Sequence, residues 1–524
     1  MRGWHATVSC WRPGRPPQAT GLPHITRAGW VCLGVGLVAL IPRIALLPVR
    51  PIPDPTVNDE FSYVLGAETF WLGRAANPPH PMWVHFETFH ENFEPTYASK
   101  YPPAQALFLA LGWKLFGHPW YGVWLSCGLM CAALCWMLQG WLPPPYALLG
   151  GLMAAAQWGI AGYWINSYWG GAVAAAAGAL VVGAVPRLVR RPSASVAALA
   201  ALGAITLANS RPYEGALTVA AALAATILWR RRTGHGLKDL LALRVILPAA
   251  AILAIGIAAM GYYNYRVTGD PLALPYAVNQ KQYGDAPLFW IVPPPSTPVY
   301  RHEVIRKFWE DWDRPVYDRA RANPLRVLAS GYYILPFLLP LFGLVGIGAA
   351  VLLRRSRKVQ IVLGMLAVPV LGLLLEKNSL PHYFAPALGL MLTLVLLGVQ
   401  YLHARWGSYA VVIFIALFFT TAGFYVARDP LEYGNRDFAA ARRRVMRTLE
   451  CESVRQLVIV RYGPRHNVLA EWVYNHADID GSAIVWARDM GAAGNRELLD
   501  YYRGRKVWVL DADAPEPKAV AYTQ

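Results

Sequence analysis

The chain has 524 residues and a mass of 57.9 kDa; 56% of it is hydrophobic and only 15% charged, against roughly 25% charged in an ordinary soluble domain. Mean hydropathy is +0.31, and the formal charge is 48 − 31 = +17. These values exclude a disordered chain, a basic nucleic-acid-binding domain and an ordinary soluble enzyme; the long apolar blocks read as helical spans of a multi-pass membrane protein, and the basic excess as the positive-inside rule.

The first apolar block, Trp30 to Leu47, follows Arg12, Arg15 and Arg27. No small-residue cleavage site follows, so it reads as a retained first span rather than a signal peptide. Further spans are expected near 120–140, 145–163, 169–186, 196–209, 213–229, 243–263, 332–352, 359–375, 383–402 and 406–426, eleven with the first. Each is near the roughly 20 residues that a bilayer core requires. Cys127, Cys131 and Cys135 repeat at i, i+4 in one of them, which fits helix packing and implies no disulfide framework.

Segment 104–117 is short and carries Gln105 and Lys114. Laid on the surface as an amphipathic helix, it leaves the basic clusters (the amino-terminal arm, Arg187–Arg191, Arg230–Arg232, Arg354–Lys358 and Arg405) on one side. Loops 48–119 and 264–331, the short loops near 165–170, 209–212 and 376–382, and the tail from Arg428 then lie outside. The expected domains are a cytoplasmic arm 1–27, a membrane domain 28–427 and an extracytoplasmic domain 428–524.

Asp59 and Glu60 follow the first span directly. Two carboxylates there are costly unless hydrated, paired or functional. They leave a helix in different directions, so one suits a proton acceptor and the other a cation ligand or orienting group; the alternative is that both cap the helix Phe61 to Leu72. His80, His85 and His90 stand with Glu87 at a spacing that matches no compact metal signature, and read as hydrogen-bonded loop histidines that line a polar pocket. Asn166 to Gly171, with Trp169, opens a small-residue span, Ala172 to Ala184, suited to close helix packing or to a lipid chain.

Asn209-Ser210-Arg211-Pro212-Tyr213-Glu214 puts Arg211 where short outer loops avoid basic residues. It is an interface anchor or a bidentate partner for an anionic headgroup. Glu376-Lys377-Asn378-Ser379-Leu380-Pro381-His382-Tyr383 offers further phosphate-compatible donors. The long loop carries Tyr262 to Arg266, then a charged stretch, Arg301 to Arg321, expected as an amphipathic surface helix pair. From Arg428 the blocks shorten. Strands at Leu457–Tyr462, Ser482–Trp486 and Lys506–Leu510, with helices at Leu469–Asn475 and Asn495–Tyr502, suggest a small soluble α/β domain with parallel pairing, a cap or partner-binding module.

The order and shared side of these elements resemble the GT-C glycosyltransferases, near the protein O-mannosyltransferases and the lipid A aminoarabinose transferases. The resemblance covers roughly 28–425 and rests on Asp59-Glu60, Lys100-Tyr101-Pro102-Pro103 and His382-Tyr383. It implies an all-α polytopic fold of about eleven transmembrane helices with the soluble tail. It also implies inverting transfer from a polyprenyl-phosphate sugar to an unidentified protein, lipid or glycan acceptor, in a bacterial plasma membrane. By resemblance Asp59 is the base, and Glu60 assists it or contacts a divalent cation. Arg211, Lys377 and His382 neutralise the phosphate. Tyr63, Lys100, Tyr101, Trp169, Glu214, Arg266 and Tyr383 shape the groove. The tail lacks the beta-trefoil repeats of the eukaryotic mannosyltransferases. A transporter, a glycan polymerase or ligase, and a non-catalytic scaffold stand as alternatives.

Overall fold

The computed structural model describes residues 26–160, 162–325, 342–378, 380–428 and 436–522. The amino-terminal arm, the first half of the span expected at 332–352 and the junction 429–435 lie outside the described residues. Among the described residues, six helices are long and apolar enough to cross a membrane: Arg27–Ala45, Trp120–Trp141, Gly171–Arg190, Pro212–Arg232, Leu243–Thr268 and Ala385–Trp406. Other expected spans coincide with shorter apolar stretches: Pro144–Ala154, prolonged to Ile160 by a widened π-type stretch, Ala194–Ala208, Gly343–Leu352, Arg357–Leu373 and Ser408–Phe424.

The small-residue helix Gly171–Arg190 is the hub. It packs on Trp120–Trp141, Ala194–Ala208 and Pro212–Arg232. A Cβ on Gly178 would lie 2.1 Å from the Pro386 carbonyl oxygen, and one on Gly183 2.5 Å from the Trp136 ring. The expected close packing is what this stretch does; backbones meet where side chains are missing. Cys127, Cys131 and Cys135 are buried free thiols along the Trp120 helix.

Helix direction sorts the charges. Arg27, Arg190, Arg230–Arg232, Arg357 and Arg405 stand at one end of their helices. The other ends of those helices lead to Asp59, Trp169, Arg211, Lys377 and His382. At 1.5 Å per residue, a 20-residue helix separates the two sets by about 30 Å.

At the far end from the basic clusters, segment 48–119 folds as helix Asn58–Trp71, a short turn Trp83–Phe86, a hairpin of Glu91–Asn92 with Ala98–Ser99, and helix Pro103–Phe116. Segment 264–331 contributes helix Pro275–Tyr283. The expected surface pair is two short helices, Glu303–Lys307 and Arg314–Ala322, joined by a π-type turn Phe308–Asp313. Its aromatic side is not on the surface: Phe308, Trp309 and Tyr317 are buried, with Phe308 against Phe89 at 4.4 Å between ring centroids.

The carboxy-terminal unit has a four-stranded sheet in the order Ile484–Arg488, Gln456–Arg461, Lys506–Asp511, Ala519–Ala521. The first three are parallel and the last antiparallel. Helices Arg436–Glu450 and Gly491–Tyr501 accompany it. The helix expected at Leu469–Asn475 does not form. Buried Glu471 accepts from the Val473 amide at 2.7 Å, and the Trp472 amide donates to the Tyr462 hydroxyl at 3.2 Å. Amides spent this way are not free for a helical ladder. The unit sits on segment 48–119 through Phe61 stacked on Tyr474 (4.2 Å, parallel) and Arg488 donating to the Glu87 carbonyl.

Candidate active site

Asp59 occupies the first turn of helix Asn58–Trp71, where unpaired amides favour a carboxylate. The Tyr101 hydroxyl donates to its Oδ1, and His90 Nε2 lies 3.8 Å from its Oδ2. The Lys100 ammonium donates to His90 Nδ1. A neutral imidazole that accepts at Nδ1 carries its proton on Nε2, the atom facing Asp59.

The hairpin makes this cluster. Pairing of Glu91 with Ser99 brings His90 beside Lys100, whose amide donates to the His90 carbonyl at 3.2 Å. Ser62 of the Asp59 helix donates to the same carbonyl at 2.6 Å and meets Ser99 Oγ at 2.8 Å. His90 has φ +63°, a conformation few non-glycine residues adopt, held here by those contacts.

Burial alone would raise the Asp59 carboxyl, but the positive charge of the His90–Lys100 pair and the Tyr101 hydroxyl hold it below the usual carboxylate range. Burial, with Lys100 beside it, pushes His90 down to about 3. Burial also pushes Lys100 down to about 8, against the pull of Asp59 and Asp313. At neutral pH the cluster is therefore carboxylate, neutral imidazole and ammonium.

Asp59, His90, Lys100 and Tyr101 form one wall of a cavity of about 630 Å³. Arg211, Glu214, Glu376, Lys377, His382 and Tyr383 line the rest, with Tyr63, Trp169, Tyr276, Trp309 and Asp313. Arg211 stands just before Pro212 at the start of its helix. Its Nη1 is 4.0 Å from Glu214 Oε1, and its guanidinium lies 5.0 Å from the Tyr383 ring centroid. Burial would lower Arg211, but Tyr63 and Glu214 raise it. Among the described residues its guanidinium donates no hydrogen bond. Lys377 Nζ donates to Asp313 Oδ2 at 2.6 Å and to the Ala286 carbonyl at 3.2 Å. Burial with the neighbouring Glu214 pushes Glu376 up to about 9, so it is protonated at neutral pH.

His382 is buried and held well below its ordinary range by burial and by Arg211. It is a neutral ring, with the Tyr163 hydroxyl 3.2 Å from Nδ1 and Trp169 edge-on at 4.7 Å. It brings hydrogen bonding and shape to the cavity rather than charge. Tyr63 stacks on Tyr101 at 4.4 Å.

Two residues expected together with these stand elsewhere. Glu60 turns away from the cavity and accepts from the Thr56 amide (2.7 Å), the Thr56 hydroxyl (2.9 Å) and the Tyr168 amide (2.9 Å). It ties the helix start to the Trp169 loop, and burial pushes it up to about 7. Asp59 and Glu60 thus do not form a shared cation cradle, and among the described residues no group of three His, Cys, Asp or Glu is placed to hold a metal. Arg266 donates to the Tyr262 hydroxyl at 2.8 Å and lines a separate, apolar groove. His80 reaches Asp480 of the carboxy-terminal unit at 3.0 Å, while His90 alone of the three loop histidines lines the cavity.

Sequence reasoning missed Glu376, Asp313, Trp309 and Tyr276. The one signal for Asp313 was the spacing of Trp309, Trp312 and Asp313, which share a face once the chain is helical.

The fold is an all-α, multi-pass membrane domain with a small β-containing unit behind it and a cavity at one end, and solved membrane proteins share it. The structure of ArnT from Cupriavidus metallidurans bound to undecaprenyl phosphate shares it, with TM-score 0.51, 13% identity and 93% of each chain covered. So does the oligosaccharyltransferase of Archaeoglobus fulgidus: its complex with Zn and sulfate gives TM-score 0.50, 12% identity, and 92% of this chain and 67% of that one. Its apo form gives TM-score 0.51 at 12% identity. No family model and no curated protein matches the sequence.

Proposed function

We propose that the protein is an inverting glycosyltransferase that moves a sugar from a polyprenyl-phosphate donor to a hydroxyl acceptor. The observation that carries this is Arg211: a largely buried guanidinium faces the cavity, within ion-pair distance of Glu214 but donating no hydrogen bond among the described residues, in the same cavity as a charged Asp59. A buried guanidinium needs an anion of matching geometry, and a phosphodiester is one. Lys100 and Lys377 add charge at the same walls.

In the reaction the bond from the sugar's anomeric carbon to the phosphate oxygen breaks, and its electron pair leaves on the phosphate. The acceptor oxygen bonds to that carbon from the opposite face, and its proton passes to Asp59. A carboxylate of low basicity suffices if the hydroxyl loses its proton late, after positive charge has developed on the sugar. Fixed cations in a partly dry cleft stabilise the departing phosphate.

The apolar groove gives the carrier chain a path. It shares Pro103, Asn209 and Met260 with the main cavity and runs between Leu107, Phe108, Ile205 and Ala259. ArnT, solved with undecaprenyl phosphate, is consistent with such a donor. The positive-inside rule supports basic helix ends on the cytoplasmic side, which would set the cavity and the carboxy-terminal unit on the outer face of a bacterial plasma membrane.

Undecaprenyl phosphate binding and turnover of a lipid-linked sugar test this. Asp59→Asn should keep carrier affinity and lose about 10²–10⁴-fold in turnover, the usual contribution of a general base. Arg211→Ala should weaken carrier binding. Full turnover by Asp59→Asn sinks the base assignment, and unchanged affinity in Arg211→Ala removes it from the phosphate site.

A further inference from the structure

A second cavity, of about 700 Å³, opens onto the first along a shared wall that includes Asp59, His90, Trp169, Phe308 and Trp312. Arg211 and Glu214 line only the first. The far wall of the second comes from the start of the Asn58 helix and from the carboxy-terminal unit, through Asp437, Asn467 and Leu469. Asp59 therefore has the phosphate-binding residues on one side and a space walled by the soluble unit on the other.

The chemistry of that wall is specific. Asn58 is 3% exposed, and its Nδ2 has no hydrogen-bond partner. That nitrogen is closed off from the cavity, so the amide donors open to a guest come from the carboxy-terminal unit. Asn467 is exposed and uses its Oδ1 to accept from the Leu469 amide at 3.1 Å. Its amide hydrogens are left for another acceptor. Trp312, 39% exposed, stacks on buried Phe308 with centroids 5.1 Å apart and planes at 26°, so its outer face is the aromatic surface open here.

Amides that donate and accept match the alternating donors and acceptors of vicinal hydroxyls. A flat aromatic shelf matches the apolar C–H face of a pyranose. The wall carries two acids, Asp59 and Asp437, and one base, Arg436, so it holds no cluster of cations to select an anionic guest. Aliphatic side chains are few, unlike the groove between the Pro103 and Leu243 helices.

We propose that this second cavity binds the acceptor and that the acceptor is a neutral carbohydrate, offered to Asp59 by a hydroxyl while the carboxy-terminal unit holds the neighbouring rings. This rests on the glycosyl-transfer reading and assigns its second substrate. It also gives the carboxy-terminal unit a task, acceptor selection.

Saturation-transfer NMR on the full chain in lipid nanodiscs tests it. The probes are maltotriose, mannotriose, chitotriose, a serine/threonine-rich peptide and lipid A, with undecaprenyl phosphate titrated in parallel. At least one trisaccharide should bind. Asn467→Ala and Asp437→Asn, both exposed and so safe for folding, should each weaken it by roughly fivefold, the weight of one hydrogen bond. Both should leave undecaprenyl phosphate affinity unchanged. Binding of the peptide or lipid A with no trisaccharide bound overturns the proposal, as does trisaccharide affinity unmoved in both variants. Failure of the wild type to bind undecaprenyl phosphate instead removes the glycosyl-transfer reading itself, so the two failures are distinct.

Discussion

At Lys100 the ammonium donates to His90 and lies 5.1–5.2 Å from the ring centroids of Tyr276 and Tyr101. Burial pushes it down to about 8, so it is charged below that pH and neutral above it. If its charge helps hold the donor phosphate, carrier affinity falls as pH rises through about 8. Lys100→Arg keeps its charge to far higher pH and should move that alkaline limb up by more than one pH unit. A limb that stays in place in the variant assigns it to another group. Glu60 predicts a pH effect on stability. Burial raises it from 4.5 to about 7, so the folded chain binds a proton that the unfolded chain has already released. Stability should therefore fall as pH rises from about 4.5 to 7, by about 3 kcal/mol at most. Thermal melts across that window should show the slope in the wild type and lose it in Glu60→Gln; a slope unchanged by the substitution places its source elsewhere. Asp59, Arg211, Lys377 and His382, which line one cavity, stand out in the sequence because polar groups at span junctions are costly and so conspicuous. Their partners were not. His90 depends on hairpin register, Asp313 on a π-type turn, and Glu376 on a bridge from the 374–377 segment to Phe289. Only the Phe289 bridge is long-range, but hydropathy and composition predict none of the three.

Among the elements, helix Gly171–Arg190 shows how small residues become geometry. Gly178 faces a backbone carbonyl, Pro386 O, which cannot rotate aside as a side chain can. Pro386 follows His382 by four residues, so a shift there reaches the cavity wall. Gly178→Ala should destabilise the protein by about 1–3 kcal/mol and weaken carrier binding. Gly348 is the control, since a Cβ there meets nothing within 4 Å. Gly348→Ala should be neutral or gain about 0.5–1 kcal/mol from the helix backbone. Equal melting shifts in the two variants would show that the approach to Pro386 is not what Gly178 is for. Hydropathy reveals such helices but not their contacts. It foretold where the six long spans lie and where Pro103–Phe116 lies. It did not foretell that Arg266 falls in with Tyr262, one turn back, on the groove face rather than at the cavity. It also missed that Glu471 would draw local amides away from the helix expected at Leu469–Asn475.

Across the whole molecule the charge asymmetry is the strongest single statement about orientation. Five helices carry arginine at one end and lead to the cavity at the other, and cytoplasmic loops retain basic residues. The carboxy-terminal unit lies at the cavity end, against segment 48–119, so it shares the cavity's side of the membrane. Cys451 reports on this directly. It is exposed, while the other described cysteines, Cys32, Cys127, Cys131 and Cys135, are buried. In a Cys10→Ser background, a membrane-impermeant maleimide added to intact spheroplasts should label Cys451, and Cys451→Ser should abolish the signal. Gly234 sits in the turn after Arg230–Arg232 with open space around it. Gly234→Cys, placed in a background lacking Cys451, should resist the reagent until the membrane is opened. The opposite pattern, Gly234→Cys labelled from outside and Cys451 protected, would put the cavity in the cytoplasm. A donor would then have to be used on the face where it is charged rather than after translocation. Labelling of both sites would mean that the two ends share one side, which helices of this length and hydropathy forbid unless they do not cross the membrane at all.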